Sequence, residues 1–251
     1  MKNAILFVEH LRWEYFYISM TSLQRVKNIK NWDIIVSIDG KKDTNTMFEE
    51  LCKKFNCIYW EWPDEVINKN HSIRSLDKAF ETYDRILLMD GVDYIFRTDT
   101  VEYLNLANYS NYTFVNLGGW MPHDGTLRIH WFNPWRNHLE RSSWIKIKKW
   151  IDDKGYVGEI NPLMSNERLT ETYRRFEALM ARYCQNKLGT SLLTPNKAYV
   201  LHIGVVGYSS RDYDVHNKMI SGDKDTWFDN TLNLFINKAS IHFWPKDFVY
   251  G

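Results

Sequence analysis

Over about the first ninety residues, short apolar runs alternate with stretches of helical periodicity, and this alternation narrows the fold more than any other feature of the chain. Runs at 4–8, 33–38, 57–62 and 85–89 read as short buried strands. Between them, apolar residues recur at helical spacing. Phe16, Met20, Leu23, Val26 and Ile29 mark a helix over 14–30, and Met47, Phe48, Leu51, Cys52 and Phe55 one over 44–55. Ile73, Leu76, Ala79 and Phe80 mark a third over 72–83. A βαβαβαβ order of this kind predicts an α/β fold with a mainly parallel, Rossmann-like sheet and helices on both faces. Ligands of such sheets bind beyond the carboxyl ends of the strands, where the sequence places Asp39 and Asp90.

After about residue 110 the pattern is less regular. A strand is expected over 112–117, a basic helix over 139–151, a further helix over 166–188 and a late strand over 199–206. The stretch 209–225 is polar and reads as a mobile loop. With no internal repeat and no evident linker, the 251 residues read as one domain, 1–251. A formal net charge of +1 gives the whole molecule no strong field toward nucleic acid or an anionic membrane. The start MKNAILFVEH does not read as a signal peptide, and no stretch reaches the roughly 20 apolar residues of a membrane span. Cys52, Cys57 and Cys184 are odd in number and lack zinc-site spacing, so reduced thiols and a cytoplasmic location are expected.

Three clusters carry chemistry. In Ile35-Val-Ser-Ile-Asp39-Gly-Lys-Lys-Asp43-Thr, Gly40 permits a turn, and Asp43 or Thr44 can cap the next helix. Asp39 has no such local explanation; a carboxylate there can accept from a nucleobase N–H or a ribose hydroxyl. In Arg85-Ile-Leu-Leu-Met-Asp90-Gly-Val-Asp93-Tyr, an apolar strand delivers two acids into a loop. They either solvate a tight turn at Gly91 or hold a hard cation, Mn²⁺ or Mg²⁺, against a departing diphosphate. In Tyr199-Val-Leu-His202-Ile-Gly204, a lone histidine sits in an apolar strand, as a satisfied core residue or as a ligand of a metal or diphosphate. Arg211 and Lys218 follow it in the polar stretch and could meet phosphate charge.

With these residues in view, positions from about 5 to 105 resemble glycosyltransferases of the GT-A fold, family-2 enzymes in particular. The match rests on Ile34-Ile-Val-Ser-Ile-Asp39-Gly, on Ser22-Leu23 and on Ile86-Leu-Leu-Met-Asp90-Gly-Val-Asp93. Arg97 to Leu104 and Leu201-His-Ile-Gly204 add to it. The resemblance implies a nucleotide-sugar donor, a UDP-sugar in the first instance, bound by residues 1–110, and an acceptor bound by 111–251. It implies Asp39 on the nucleotide, Asp90, Asp93 and His202 around the metal, Arg74 facing the donor, and inversion at the anomeric carbon. One departure is clear. The family's acids stand two apart, whereas Val92 occupies that place here and the next acid is Asp93, which makes Asp90 the firmer assignment.

The acceptor half is rich in Trp120, Trp131, Trp135, Trp144 and Trp150, which either pack or stack on sugar rings or unpaired bases. Arg141, Lys146, Lys148 and Lys149 leave a glycan, DNA or another anionic acceptor open. Candidate general bases are Glu167, near the start of the 166–188 helix, and Asp124. Glu167 has an alternative role in helix-terminus electrostatics. A nucleotidyltransferase is the first rival reading, against which Glu9-His-Leu-Arg-Trp13 stands where a Gly-rich phosphate loop is expected. A non-catalytic glycan- or nucleic-acid-binding module is the second.

Overall fold

The computed structural model describes residues 1–9, 12–40, 45–63, 69–106, 113–118, 136–154, 180, 183, 192–193, 195, 198–204 and 212–239. The first half alternates β1 (Asn3–Glu9), α1 (Trp13–Leu23), β2 (Asp33–Ile38), α2 (Asn45–Phe55), β3 (Ile58–Glu61), α3 (Lys69–Thr82) and β4 (Arg85–Asp90). There follow β5 (Tyr94–Phe96), α4 (Thr100–Leu106), β6 (Phe114–Asn116), β7 (Asn137–Glu140), α5 (Arg141–Lys154), β8 (Leu192–Leu193) and β9 (Val200–His202). The described chain closes with α6 (Tyr213–Met219) and α7 (Trp227–Ala239).

Strands β3-β2-β1-β4-β7-β6-β8 form one sheet, and β5 and β9 form a separate antiparallel pair. The block β3-β2-β1-β4 is parallel throughout. β7 then runs antiparallel to both β4 and β6, and β8 pairs parallel to β6. The expected α/β architecture is therefore present, with an antiparallel insertion on one side.

Near-continuous apolar strands form because both faces of the sheet are covered. Successive residues of β1 face opposite ways, and the core divides accordingly. Ile5 and Phe7 join Val36, Ile38, Leu87 and Met89 under α1 and α2. Ala4, Leu6 and Val8 join Ile35, Ile86 and Leu88 under α3 and α5, with Leu76, Phe80, Trp144 and Ile147.

Four boundaries differ from expectation for identifiable reasons. The helix expected over 14–30 ends at Leu23. The hydroxyls of Ser19 and Ser22 accept the Tyr94 and Phe96 amides and donate to carbonyls of the same segment, so this face of α1 docks on β5. The backbone then turns away to give its Lys27 amide to the Thr98 carbonyl at 2.8 Å. The helix expected over 139–151 starts two residues later, because Leu139 pairs with Ile86 in the sheet. Of the late strand expected over 199–206, Val200–His202 is strand, and 205–206 lie outside the described residues. The polar stretch expected to be a mobile loop contains α6, capped by the Asp212 carboxylate on the Val215 amide at 3.1 Å.

Many aromatic residues are consumed by packing. Trp227 meets Trp13 and Tyr17, which joins α7 to α1. Trp144 is buried in a stack on Phe80, and Trp150 meets Tyr183 edge-on, so these two tryptophans are packing residues. Trp120, Trp131 and Trp135 lie outside the described residues. Two basic residues of α5 have acidic partners on the same helix, Lys148 with Asp152 at 2.7 Å and Lys149 with Asp153 at 3.2 Å. No helix among the described residues is long and apolar enough to cross a membrane.

Candidate active site

In the strand order 3-2-1-4 the chain leaves β1 to one side and returns on the other, so the reversal lies between β1 and β4. In open α/β sheets this reversal is where ligands bind. The strands β1, β2 and β4 all end here. Asp90 pairs with Val8 across the β1–β4 ladder, and Asp39 directly follows β2, on the other side of β1. The two acids thus share one edge of the sheet, about 10 Å apart at two strand spacings. Asp39 is buried and Asp90 is half-buried.

Gly91 follows Asp90 with φ +110°, a conformation that L side chains rarely adopt, and its amide bonds to the Val8 carbonyl at 2.9 Å. This turn folds the segment back so that Val92 fills the core and Asp93 points into the molecule, 2% exposed. The Tyr94 hydroxyl then donates to the Asp90 carbonyl at 2.9 Å.

β9 delivers His202. Its register with β5 places His202 opposite Tyr94, with the rings 5.5 Å apart, and the Ile203 amide bonds to the Asp93 carbonyl at 2.8 Å. The Asp93 Oδ2 atom receives two donors, Arg12 Nη1 at 2.7 Å and His202 Nε2 at 3.1 Å. A Cβ at position 204 would collide with that oxygen and stand 2.9 Å from His202 Nε2, so only glycine fits there. Arg136 lies nearby, 6% exposed, and donates to the Val200 carbonyl at 3.0 Å.

Electrostatics follow from this packing. Burial pushes the Asp93 carboxyl upward, but the His202 hydrogen bond and the charges of His202 and Arg12 outweigh it, and the group ends below its ordinary value. Asp93 is therefore an anion in the core. Burial, with the Asp93 charge next, pushes the Tyr94 hydroxyl well up, so it stays protonated and serves as a donor. Burial pulls Arg136 down, while Tyr94 and Asp93 act in the opposite sense.

A second cluster lies on the β2 side. Buried Ser37 bonds to His71 Nε2 at 2.9 Å and to the Ser75 hydroxyl at 2.8 Å, and it accepts the Trp62 indole N–H at 2.9 Å. Arg74 lies over the Trp62 ring at 4.2 Å, so the sequence-expected donor residue is stacked beside the Asp39 end of the edge. Lys218 is exposed in the last turn of α6. Arg211, Asp124 and Glu167 lie outside the described residues.

Asp93 and His202 are thus brought together, and Asp39 and Asp90 share an edge. Among the described residues no three acidic, histidine or cysteine side chains converge in a ready-made metal cage. Sequence reasoning passed over Arg12, noting its segment only as an absent phosphate loop. The available signal was position: Arg12 stands three residues beyond β1, at the strand end where the ligand edge begins.

No protein-family model matches the sequence, and no curated protein matches it by sequence similarity. Solved structures do match. Residues 1–349 of TarS from S. aureus, in complex with UDP, align at TM-score 0.56 and 13% identity, over 98% of this chain and 77% of that one. The mannosyltransferase PcManGT from Pyrobaculum calidifontis, in complex with GDP-Man and Mn²⁺, aligns at 0.50 and 9%, over 96% and 75%. The glycosyltransferase GlyE of Streptococcus pneumoniae TIGR4 aligns at 0.51 and 12%, over 98% and 65%. The chain has the GT-A-like fold of these glycosyltransferases.

Proposed function

We propose that this chain is a glycosyltransferase that takes its sugar from a nucleotide-sugar donor, a UDP-sugar in the first instance, with a divalent metal and inversion at the anomeric carbon. The observation that carries the reading is the placement of Asp39 and Asp90 on one sheet edge, flanking β1 at the chain reversal. Support comes from a fold shared with enzymes whose solved complexes hold UDP, or GDP-Man with Mn²⁺.

In this reading Asp39 accepts from the base or ribose. Arg74, stacked on Trp62, borders the nucleotide on the β2 side. Asp90, half-buried at the end of β4, would hold the cation through a carboxylate oxygen. When bound, Mn²⁺ or Mg²⁺ would stabilise the negative charge developing on the leaving nucleotide. Asp93 does not fit as an inner ligand in this arrangement, since its Oδ2 takes a guanidinium at 2.7 Å and a ring nitrogen. Asp93 and His202 are therefore proposed to shape the site around Asp90. Arg211 and Lys218 are proposed on the phosphate side, and Glu167 or Asp124 as the base that deprotonates the acceptor hydroxyl. The acceptor is proposed to be a glycan, with DNA or another anion as the alternative, and the site of action the cytoplasm.

A thermal-shift panel of UDP-, GDP-, CMP- and dTDP-sugars with Mn²⁺ tests this. One donor should raise the melting temperature, since a ligand at a hundredfold over its Kd adds about 2.7 kcal/mol to the native state. Asp90→Ala should keep its fold and lose about 10²–10³-fold in transfer, the scale of removing one group that stabilises developing charge. Stabilisation by nucleoside triphosphates alone would turn the reading to a nucleotidyltransferase. No response to any nucleotide would leave a non-catalytic binding module.

A further inference from the structure

We infer that Cys52 and Cys57, held together by the turn that ends α2, are a thiol-modification site that small disulfides close to an intrachain disulfide. The pair joins the last turn of α2 to the amino end of β3. Asp39 follows the carboxyl end of β2, which runs parallel to β3, so the two places lie at opposite ends of the sheet. The inference is independent of the nucleotide-sugar reading.

Backbone geometry comes first. The Cys57 amide donates to the Cys52 carbonyl at 2.8 Å, and the Asn56 amide to the Lys53 carbonyl at 3.4 Å. Asn56 between them is left-handed, with φ +56°. A 6→1 bond, a 5→2 bond and a left-handed residue make up the Schellman helix end. This motif commonly carries a side-chain contact between its first and last residues, which here are the two cysteines.

The side chains agree with the turn. Both thiols are free. Cys52 is buried in the core under α1 and α2, and Cys57 is half-buried and packs against the same cluster. A hydrogen bond with the Cys57 thiol, and burial after it, push the Cys52 thiol above its ordinary value, and the Glu49 charge acts in the same sense. Cys52 is thus a sheltered, protonated thiol, and Cys57 is the member of the pair that solvent reaches.

The chemistry follows this asymmetry. The Cys57 thiolate attacks one sulfur of a small disulfide such as oxidised glutathione. That S–S bond breaks, a mixed disulfide forms on Cys57, and one glutathione leaves carrying the proton Cys57 gave up. The Cys52 sulfur then attacks the Cys57 sulfur, and the second glutathione leaves with the Cys52 proton. Two protein thiols lose two electrons, and one small disulfide becomes two thiols. The turn already holds positions 52 and 57 together, so closing the bond orders little further chain. The unfolded chain lacks that turn, and the folded protein should therefore favour the bond more strongly.

The test equilibrates the full chain with reduced and oxidised glutathione, native and in concentrated urea, then alkylates the remaining thiols and weighs tryptic peptides. Lys53 and Lys54 stand between the two cysteines, so trypsin separates them unless a disulfide joins their peptides. The native chain should reach half-closure at a ratio of oxidised to squared reduced glutathione about tenfold or more below that of the unfolded chain. Tenfold corresponds to about 1.4 kcal/mol of added native stability. Cys52→Ser should stop at the mixed disulfide on Cys57, Cys57→Ser should leave Cys52 unmodified, and Cys184→Ser should leave the ratio unchanged. The wild-type comparison carries the result if a serine variant does not fold. A native chain that closes the pair no more readily than the unfolded one, or that joins either cysteine to Cys184 instead, overturns the site.

Discussion

The two ends of β4 carry similar residues and do different things with them. At the amino end, Arg85 meets Glu140 at 3.3 Å and Arg141 meets Asp84 at 3.4 Å, with every one of these side chains open to water. At the carboxyl end, Asp93 is sealed among Arg12, His202 and Arg136, and Asp90 stands half-buried at the edge. Water screens the first set, so its charges serve solubility and local order. In the second set Asp93 and Arg136 have left water, so their charges depend on their neighbours, while Arg12 and His202 each keep 32% of the side chain exposed. The burial of Asp93 and Arg136, more than residue type, sets the carboxyl end apart from the amino end.

The largest expected effect comes from removing the buried acid. Asp93→Ala takes away the anion that Arg12, His202 and Arg136 all face, and leaves Arg136 as a buried cation without it. Breaking a buried pair from one side costs about 3–5 kcal/mol. Urea unfolding of this variant should show a loss of that size. A loss near that of an exposed pair would mean the two ends do not differ as described.

The parallel half of the molecule was legible because each strand there is buried on both faces and must be apolar along its length. That constraint writes itself into residues 4–8, 33–38 and 85–89, and it places Asp39 and Asp90 at the same end of the sheet. β7 was not legible. Its sequence, Asn137-His-Leu-Glu140, carries one apolar residue, yet Asn137 and His138 are buried. Their burial depends on partners distant in sequence: the Asn116 amide, which donates to Asn137 Oδ1 at 3.1 Å, and the Trp32 ring, 6.4 Å from His138. Arg12 was missed for the same reason, since its meaning comes from an acid 81 positions away. Ser19 and Ser22 look like ordinary helix residues until β5 arrives to bond them.

Midway along β4 the comparison sharpens through His138, which pairs with Leu87. Burial, with the nearby Arg85 charge second, lowers its pKa to about 3 from 6.5. The folded state holds this ring neutral while the unfolded chain protonates it. The depressed value therefore contributes stability that is complete above pH 6.5, falls as pH drops and is exhausted near 3. Within that window one proton contributes a slope of up to about 1.4 kcal/mol per pH unit. Unfolding free energy measured between pH 7 and pH 4 should decline faster in the wild type than in His138→Gln. Parallel curves would mean that the ring titrates alike in both states.

The smallest effect belongs to the amino end. Arg85 and Glu140 lie opposite each other in the β4–β7 register, with side chains 19% and 30% exposed. Their attraction is partly screened, and holding two long side chains in one geometry costs entropy, so the net coupling should be about 0.2–1 kcal/mol. A double-mutant cycle with Arg85→Ala and Glu140→Ala isolates that coupling from the packing each stem contributes. Raising salt should shrink it further. A coupling above about 2 kcal/mol that ignores salt would place this pair in the same desolvated regime as Arg12 and Asp93. In that case charge burial would no longer distinguish the carboxyl end of β4 from its amino end.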